Sequence, residues 1–106
     1  MSVSELPHGV VFPPEPGFEA WLEAEGLTED VVSVVTNLRR YFPTREIRVR
    51  KPTVPENLDE VEVVIDLGGA DEASVRSTVE TLAQFDREWY VKQRTDLVFR
   101  VGVYWA

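Results

Sequence analysis

Three carboxylates, Glu60, Glu62 and Asp66, lie close together in the segment EVEVVIDL. Successive side chains of a β-strand point to opposite faces, so this spacing places all three on one face. Such a set could hold a magnesium ion through its oxygens. However, the chain has no Asp-x-Asp pair, and the preceding segment REIRVRK supplies arginines that can pair with the carboxylates. We therefore expect ion pairs between two strands rather than a metal site.

A glycine-rich turn follows directly, in the segment VVIDLGGADEASV. Backbone N–H groups at a helix N-terminus can bind a phosphate, and Gly68 and Gly69 would leave them accessible. Asp71 and Glu72 already place negative charge at that end of the helix, which favours the helix but repels an anion. The segment is therefore interpreted as a strand-to-helix turn and not as a nucleotide site.

The residue types used most often in catalysis are scarce in this chain. His8 is the only histidine and there is no cysteine, so a thiolate metal site and a cysteine nucleophile are excluded and a zinc site is not expected. No nucleophile of a hydrolytic triad is recognisable. The sequence therefore predicts no catalytic residue, no metal and no cofactor. The absence of cysteine also agrees with a cytoplasmic location.

Charge is distributed unevenly along the chain, whose formal net charge is −8. The segment RRYFPTREIRVRK holds six of the eleven basic residues, whereas residues 1–30 hold seven carboxylates and no lysine or arginine. We interpret this as an acidic part that lies near the basic segment in the fold, or that meets it in a self-complementary dimer. The negative charge disfavours nucleic acids, and no apolar run approaches the ~18 residues of a membrane span. The expected partner is another protein.

Regular elements must position these groups, and they are predicted to begin after a proline-rich N-terminal arm. Residues 1–16 hold four of the seven prolines, so the arm is predicted to be extended or irregular. It is expected to attach through its apolar residues Val10, Val11 and Phe12. Residues 17–106 are long enough to form a single domain with its own core.

Two helices are predicted next. Apolar residues recur at helical spacing from Phe18 to Leu22, and Gly26 is a typical stop, so the first helix is placed over residues 17–25. The segment LTEDVVSVVTNLRRYFP forms the second helix, with Thr28 as its N-cap, acidic residues in its first turn and arginines in its last. The proline at the end of this segment stops the helix.

The period of the apolar residues then changes to two, in REIRVRK and again in EVEVVIDL. This alternation is typical of half-buried strands. A loop with two prolines separates the segments, so an antiparallel hairpin is predicted. Arg48 and Arg50 would then face Glu60 and Glu62 on a solvated side of the sheet.

The last third of the chain is predicted to be one long helix, ending at Arg94, followed by one strand. The predicted buried stripe of the helix comprises Val75, Val79, Leu82, Asp86 and Trp89. Trp89 is interpreted as a core ring, and Asp86 as a buried carboxylate that needs a partner. In the final strand, DLVFRVGVYW, one face comprises Leu97, Phe99, Val101, Val103 and Trp105.

The segment LAQFDREWY, with the strand that follows it, resembles a pattern of small bacterial α/β proteins whose function is uncharacterised. Those proteins carry Leu-x-x-Phe-Asp-x-x-Trp-Trp near the end of their long helix. Leu82, Phe85, Asp86 and Trp89 match the pattern, and Tyr90 stands in the place of the second tryptophan. The resemblance implies a fold shared with bacterial cytosolic proteins and implies no particular activity.

The predicted fold is therefore α+β, with the element order α-α-β-β-α-β. Its three strands form one mostly antiparallel sheet, and the long helix packs across one face. The last strand can lie at an edge of this sheet, where it would be able to pair with a second copy of the chain in a homodimer.

The predicted function is a non-catalytic protein-binding or regulatory module of the immunity, antitoxin or chaperone type. The residues expected to bind the partner are Trp21, Tyr90, Tyr104 and Arg100. The alternative is a small enzyme or ligand-binding domain that uses Glu62, Asp66 and Arg100 in a cleft. A cleft that gathers these charged groups would favour the enzyme, whereas scattered carboxylates and an exposed apolar patch would favour the binding module.

Overall fold

One mixed sheet and four α-helices form the protein in the computed structural model, which describes residues 9–13, 16–52 and 60–106. The elements in chain order are β1 (Val10–Val11), α1 (Phe18–Ala24), α2 (Thr28–Tyr41), β2 (Glu46–Arg50), β3 (Val61–Asp66), α3 (Glu72–Glu88), α4 (Thr95–Arg100) and β4 (Val101–Trp105). A 3-10 turn, Tyr90–Lys92, lies between α3 and α4. The predicted α+β class is confirmed, but a strand and a helix are added to the predicted order.

The strand order in the sheet is β1-β2-β3-β4. β2 and β3 are antiparallel, as the hairpin prediction requires. β1 pairs in parallel with β2, and β3 pairs in parallel with β4, so the prediction of three mostly antiparallel strands is wrong. β4 is parallel to β3 because α3 and α4 carry the chain back before it re-enters the sheet. The predicted edge position of the last strand is confirmed.

Part of the predicted arm belongs to the sheet. Val10–Val11 form β1, and the ring of Phe12 packs against that of Phe18 with centroids 5.7 Å apart. The arm therefore attaches through apolar residues, as predicted. His8 and the rest of residues 1–8 lie outside the described residues.

The register of the hairpin differs from the predicted one. Arg50 lies opposite Glu62, as expected, but Arg48 lies opposite Val64. Glu60 precedes β3 and takes no part in the hairpin. Glu62 and Val64 are also buried rather than solvated, because β3 lies inside the sheet with a neighbouring strand on each side.

The predicted long helix is divided into two. α3 ends at Glu88, because Trp89 leaves the helical conformation with φ −131° and ψ −54°. α4 then occupies the first half of the predicted strand, so that Leu97 is buried while Phe99 is 61% exposed. The segment DLVFRV alternates like a strand, but so short a segment fits a helical turn with one buried residue equally well.

α3 packs on the sheet through a face that lies one residue away from the predicted stripe. Its buried residues are Thr78 and Phe85, while Val79 and Asp86 are exposed. Burying the ring of Phe85 instead of the Asp86 carboxylate avoids the cost of desolvating a charge. The prediction that Asp86 needs a buried partner is therefore wrong. Trp89 is half-buried and stacks on Phe85, with ring centroids 5.5 Å apart.

The start of α2 also differs from the prediction. Leu27, not Thr28, is the N-cap residue, and it makes no side-chain hydrogen bond to the helix. Leu27 is fully buried in the core, so packing rather than capping determines where this helix begins. The Thr28 hydroxyl is buried and has no hydrogen-bond partner among the described residues.

A hydrophobic core joins the sheet to all four helices. Its buried members include Leu22, Val31, Val35, Leu38, Ile47, Val63, Ile65, Phe85, Leu97 and Val101. Within the described ranges, no helix has the length and apolar character needed to cross a membrane.

Candidate protein interaction site

The carboxylates of Glu62 and Asp66 are each held by an arginine of β2. Glu62, whose side chain is 3% exposed, accepts a hydrogen bond from Arg50 Nε at 2.9 Å. Asp66 Oδ2 lies 2.8 Å from Arg48 Nη2. The prediction of ion pairs between the two strands is confirmed, although Arg48 pairs with Asp66 and not with Glu60.

Asp66 also shapes the turn from β3 into α3. Its Oδ1 accepts a hydrogen bond from the Gly68 N–H at 2.8 Å. This bond, together with a hydrogen bond to the Glu46 side chain and the charge of Arg48, lowers the pKa of Asp66. A carboxylate whose pKa is lowered in this way is a weaker proton acceptor. Asp66 is therefore suited to stabilising the turn rather than to general base catalysis.

The glycine-rich turn leads into α3, as predicted. Gly68 and Gly69 have φ angles of 59° and 75°, in the region that favours glycine. Asp71 caps α3 by accepting a hydrogen bond from the Ser74 N–H at 2.8 Å, and this bond lowers the pKa of Asp71. A carboxylate thus already occupies the helix N-terminus at which an anion would have to bind.

Arg100 belongs to a different ion pair at the end of α4. Its Nε donates to Glu60 Oε2 at 2.7 Å, which raises the pKa of Arg100, and its Nη2 donates to the Glu25 carbonyl. The main cavities between described residues are lined by other side chains than those of Glu62, Asp66 and Arg100. These three residues, named in the alternative catalytic hypothesis, are therefore distributed over separate ion pairs.

Trp21, predicted to bind a partner, lies on α1. It is half-buried against the ring of Phe18, with centroids 5.5 Å apart, and Lys51 Nζ lies 4.8 Å from the centre of its ring. This cation–π contact ties α1 to the end of β2. Trp21 therefore has a structural role of its own in the fold.

The two predicted tyrosines lie near the last strand. Tyr90 is half-buried, and its single hydroxyl hydrogen is shared between the carbonyls of Val98 and Val101, whose oxygens lie 3.0 Å and 2.5 Å from the hydroxyl oxygen. It therefore ties the turn after α3 to both α4 and β4. Tyr104 lies on β4 opposite Val64, and its side chain is 38% exposed.

The acidic N-terminal part keeps several carboxylates exposed on α1 and at the start of α2. These are Glu19, Glu23, Glu25 and Glu29, and none forms an ion pair with another described residue. Asp30 pairs with Arg94, at 2.6 Å, rather than with the basic segment. Arg48 and Arg50 of the hairpin pair with carboxylates of β2 and β3. The described ion pairs therefore do not join the acidic N-terminal part to the basic segment in the way that the sequence predicted.

Among residues 9–13, 16–52 and 60–106, no group of three or more histidines, aspartates and glutamates is placed to hold a metal ion.

A groove of about 270 Å³ lies between α3 and β4. Its lining residues are Val79, Leu82, Ala83, Phe85, Asp86, Tyr90 and Val103. Apart from the Asp86 carboxylate and the Tyr90 hydroxyl, these side chains are apolar. Val79 is 41% exposed, and Trp105, which shares the face of Val103 on β4, is 45% exposed. The groove and its neighbours therefore present apolar surface that another molecule can cover.

The outer edge of β4 runs beside this groove. Just beyond the strand, the Ala106 N–H donates to the Ile65 carbonyl at 3.0 Å, and the Ala106 carbonyl accepts from the Leu67 N–H at 2.9 Å. Ala106 therefore points its backbone groups inward, to the β3 side. Because alternate residues bond to opposite sides in a parallel ladder, the odd-numbered residues of β4 point theirs outward.

Val101, Val103 and Trp105 are the outward residues. The Val101 carbonyl is already occupied by the Tyr90 hydroxyl. No described residue bonds the outward N–H and C=O groups of Val103 and Trp105. An edge with unpaired backbone groups is a template for the addition of another strand.

The sequence had a signal for the edge but not for the groove. The segment VGVYW carries no charge and no proline, which is unusual for a protected edge strand. The groove escaped prediction because its formation depends on Val79 facing outward, whereas the predicted stripe buried it. A predicted stripe placed one residue earlier, with Phe85 buried in place of Asp86, would have predicted that Val79 is exposed.

Comparison of the chain with protein-family models, with curated proteins and with solved structures finds no significant match.

Proposed function

We propose that this protein is a non-catalytic protein-binding module that acts through the open edge of its sheet. The observation that carries the proposal is the edge of β4, where the backbone groups of Val103 and Trp105 are unpaired among the described residues beside an apolar groove. A regulatory role of the immunity, antitoxin or chaperone type is consistent with a small domain that binds another protein in this way.

The edge and the groove serve different parts of recognition. An added strand bonds through its backbone to Val103 and Trp105, which contributes affinity without regard to sequence. Every second side chain of that strand faces the groove, where Val79, Ala83 and Val103 favour apolar groups. Asp86, exposed at the rim, favours a hydrogen-bond donor or a basic group.

The charge of the protein adds a preference among foreign partners. A net charge of −8, with exposed carboxylates on α1 and at the start of α2, attracts basic proteins and raises their rate of association. This attraction weakens with salt. We do not propose the catalytic alternative, because no observation brings Glu62, Asp66 and Arg100 into one cleft.

Capture from a lysate of the source organism tests the proposal. Wild-type protein, Trp105→Lys and Phe99→Lys are immobilised in turn, and retained proteins are identified by mass spectrometry. Trp105 and Phe99 are both exposed apolar residues, but only Trp105 lies on β4, on the face that Val103 presents to the groove. We expect a partner that the wild type and Phe99→Lys retain and that Trp105→Lys loses by at least about tenfold.

The result that contradicts the proposal is equally direct. Either no protein is retained by the wild type, or the same proteins are retained by all three baits. Circular dichroism of each bait establishes that it is folded before capture is compared.

A further inference from the structure

We infer that a second copy of this chain occupies the β4 edge, paired antiparallel through β4 about a twofold axis. The inference rests on the proposed function, because it assigns an occupant to the same surface. β4 lacks the charged residues, prolines and bulges by which natural edge strands avoid pairing with one another. Identical antiparallel strands pair with twofold symmetry, so the same edge can serve both copies.

Tyr90 determines the register of this pairing. Its hydroxyl donates to the Val101 carbonyl, and the Val101 N–H donates to the Leu97 carbonyl, so a second strand cannot form the usual pair of bonds with Val101 without breaking one of these contacts. The free outward residues are Val103 and Trp105. In the register that uses both, Val103 lies opposite Trp105 of the second copy, the two exchange N–H···O=C bonds in both directions, and the twofold axis passes near Tyr104.

This register also fills the groove. Side chains of directly opposed residues lie on the same face of the sheet, so Trp105 of the second copy is placed beside Val103, over Val79 and Ala83. An indole ring is a large apolar group with one N–H donor. The exposed carboxylate of Asp86 at the groove rim is an acceptor for that N–H. The chain thus carries both the groove and a side chain suited to it, and Trp105 is 45% exposed when unpaired.

The charges near the edge do not oppose the pairing, although each copy has a net charge of −8. β4 itself carries no charge. On α3, the exposed charged side chains one turn from Val79 or Ala83 are Arg76, Glu80, Asp86 and Arg87, and Arg76 Nη2 lies 3.5 Å from the Glu72 carboxylate. The twofold axis reverses the second α3, so Arg76 of one copy is directed towards the Asp86 end of the other. The exposed charges of α3 near the interface are therefore of both signs rather than uniformly negative.

Sedimentation equilibrium of the full chain, from about 1 µM to about 500 µM, measures the self-association. We expect a monomer–dimer equilibrium in the wild type. Trp105→Lys and Val79→Lys should each weaken it by at least about tenfold, since both place a charge in the groove. Val11→Lys, on the opposite edge strand, and Phe99→Lys should change it by less than about threefold, although they replace similarly exposed apolar residues.

Amide hydrogen exchange reports the register independently of these variants. The Val103 and Trp105 amides should exchange more slowly at high than at low protein concentration. The Tyr104 amide, which points towards β3, should be protected at both concentrations. Circular dichroism of each variant at low concentration separates loss of association from loss of fold.

Either of two results overturns the inference: a wild type that stays monomeric up to the highest concentration, or a dimer that Trp105→Lys and Val79→Lys leave intact. If the protein stays monomeric but still captures a foreign protein through Trp105, the inferred homodimer is wrong and the proposed function stands. A dimer of the expected kind that captures no foreign protein overturns only the proposed regulatory function.

Discussion

The two edges of the sheet are built in opposite ways. β1 has only two residues, and a proline follows within two positions of its end. Gly9, just before β1, lies so close to Arg39 that a Cβ atom there would be 2.7 Å from Nη2. β4 has five residues, no proline and no charge. Natural sheets avoid edge-to-edge association with short strands, prolines and charges, so in the described part of the chain one edge is protected and the other is open.

The side chains next to the two edge strands also differ, being charged near β1 and aromatic near β4. On the β1 side, Arg39 Nη1 donates to the carbonyls of Phe42 and Arg45 at 2.8 Å and 2.6 Å, and the next strand, β2, carries the arginines of the hairpin ion pairs. On the β4 side, Phe85 stacks with Trp89 and contacts Tyr90. Arginines and their carboxylate partners thus lie next to β1, whereas aromatic rings lie next to β4.

The largest expected effect concerns the ring that supports the open side. Phe85 is 1% exposed and contacts the rings of Tyr41, Trp89 and Tyr90. Phe85→Ala should lower the free energy of unfolding by about 3–5 kcal/mol, because it leaves a cavity under α3. Trp89→Ala, which removes a half-buried ring, should cost less, about 1–2 kcal/mol. Urea unfolding measures both, and a larger loss for Trp89→Ala would return that residue to the core position that the sequence predicted.

An intermediate effect is expected at the residue that limits the open edge. Tyr90→Phe removes the hydroxyl that donates to the carbonyls of Val98 and Val101, and should cost about 1–2 kcal/mol. The matched control is Tyr41→Phe, whose hydroxyl bonds the exposed Glu88 at 2.7 Å, and which should cost less than about 0.5 kcal/mol.

The same variant sharpens the contrast between the edges. Without the Tyr90 hydroxyl, the Val101 carbonyl joins the open part of β4. Self-association of Tyr90→Phe should therefore be at least as strong as that of the wild type, despite the loss of stability. Weaker association in sedimentation equilibrium, with the fold intact, would mean that Tyr90 itself forms part of the interface.

The smallest expected effect concerns the charged side of the sheet. The folded state lowers the pKa of Asp66, chiefly through the Gly68 N–H and in part through Arg48. A lowered pKa means that the ionised carboxylate favours folding above the pKa of the unfolded chain, about pH 4, and that this contribution is lost as the pH falls further. The melting temperature of the wild type should thus exceed that of Asp66→Asn at pH 7, and the difference should shrink below about pH 4.

Arg48→Gln is the control for this pH dependence. It removes the ion pair at 2.8 Å but keeps the hydrogen bond from Gly68, so it should reduce the pH dependence only in part. A difference between wild type and Asp66→Asn that stays constant from pH 7 to about pH 3 would contradict the assignment.

Sequence reasoning predicted the elements with strong local signals. The helices at Phe18–Ala24 and Thr28–Tyr41 have apolar residues at helical spacing, and the hairpin strands alternate clearly. It also identified the edge strand, whose uncharged segment VGVYW is visible without a structure. Its errors within the helices lie where a short segment fits two periods, as in α4, or where the buried face lies one residue away from the predicted stripe, as in α3.

What the chain determined by itself is thus the kind of element where the period is clear, in α1, α2, β2, β3 and most of α3, and the absence of charge in the segment VGVYW, because periodicity and residue type are local properties. Tertiary structure decided the parallel pairing of β1 and β4, the burial of Phe85 in place of Asp86, and the groove that results. These features depend on which surfaces meet across the sheet. The physical reason is that burial is a property of two packed elements together, so neither α3 nor β4 alone contains the information that Val79 and Trp105 remain exposed.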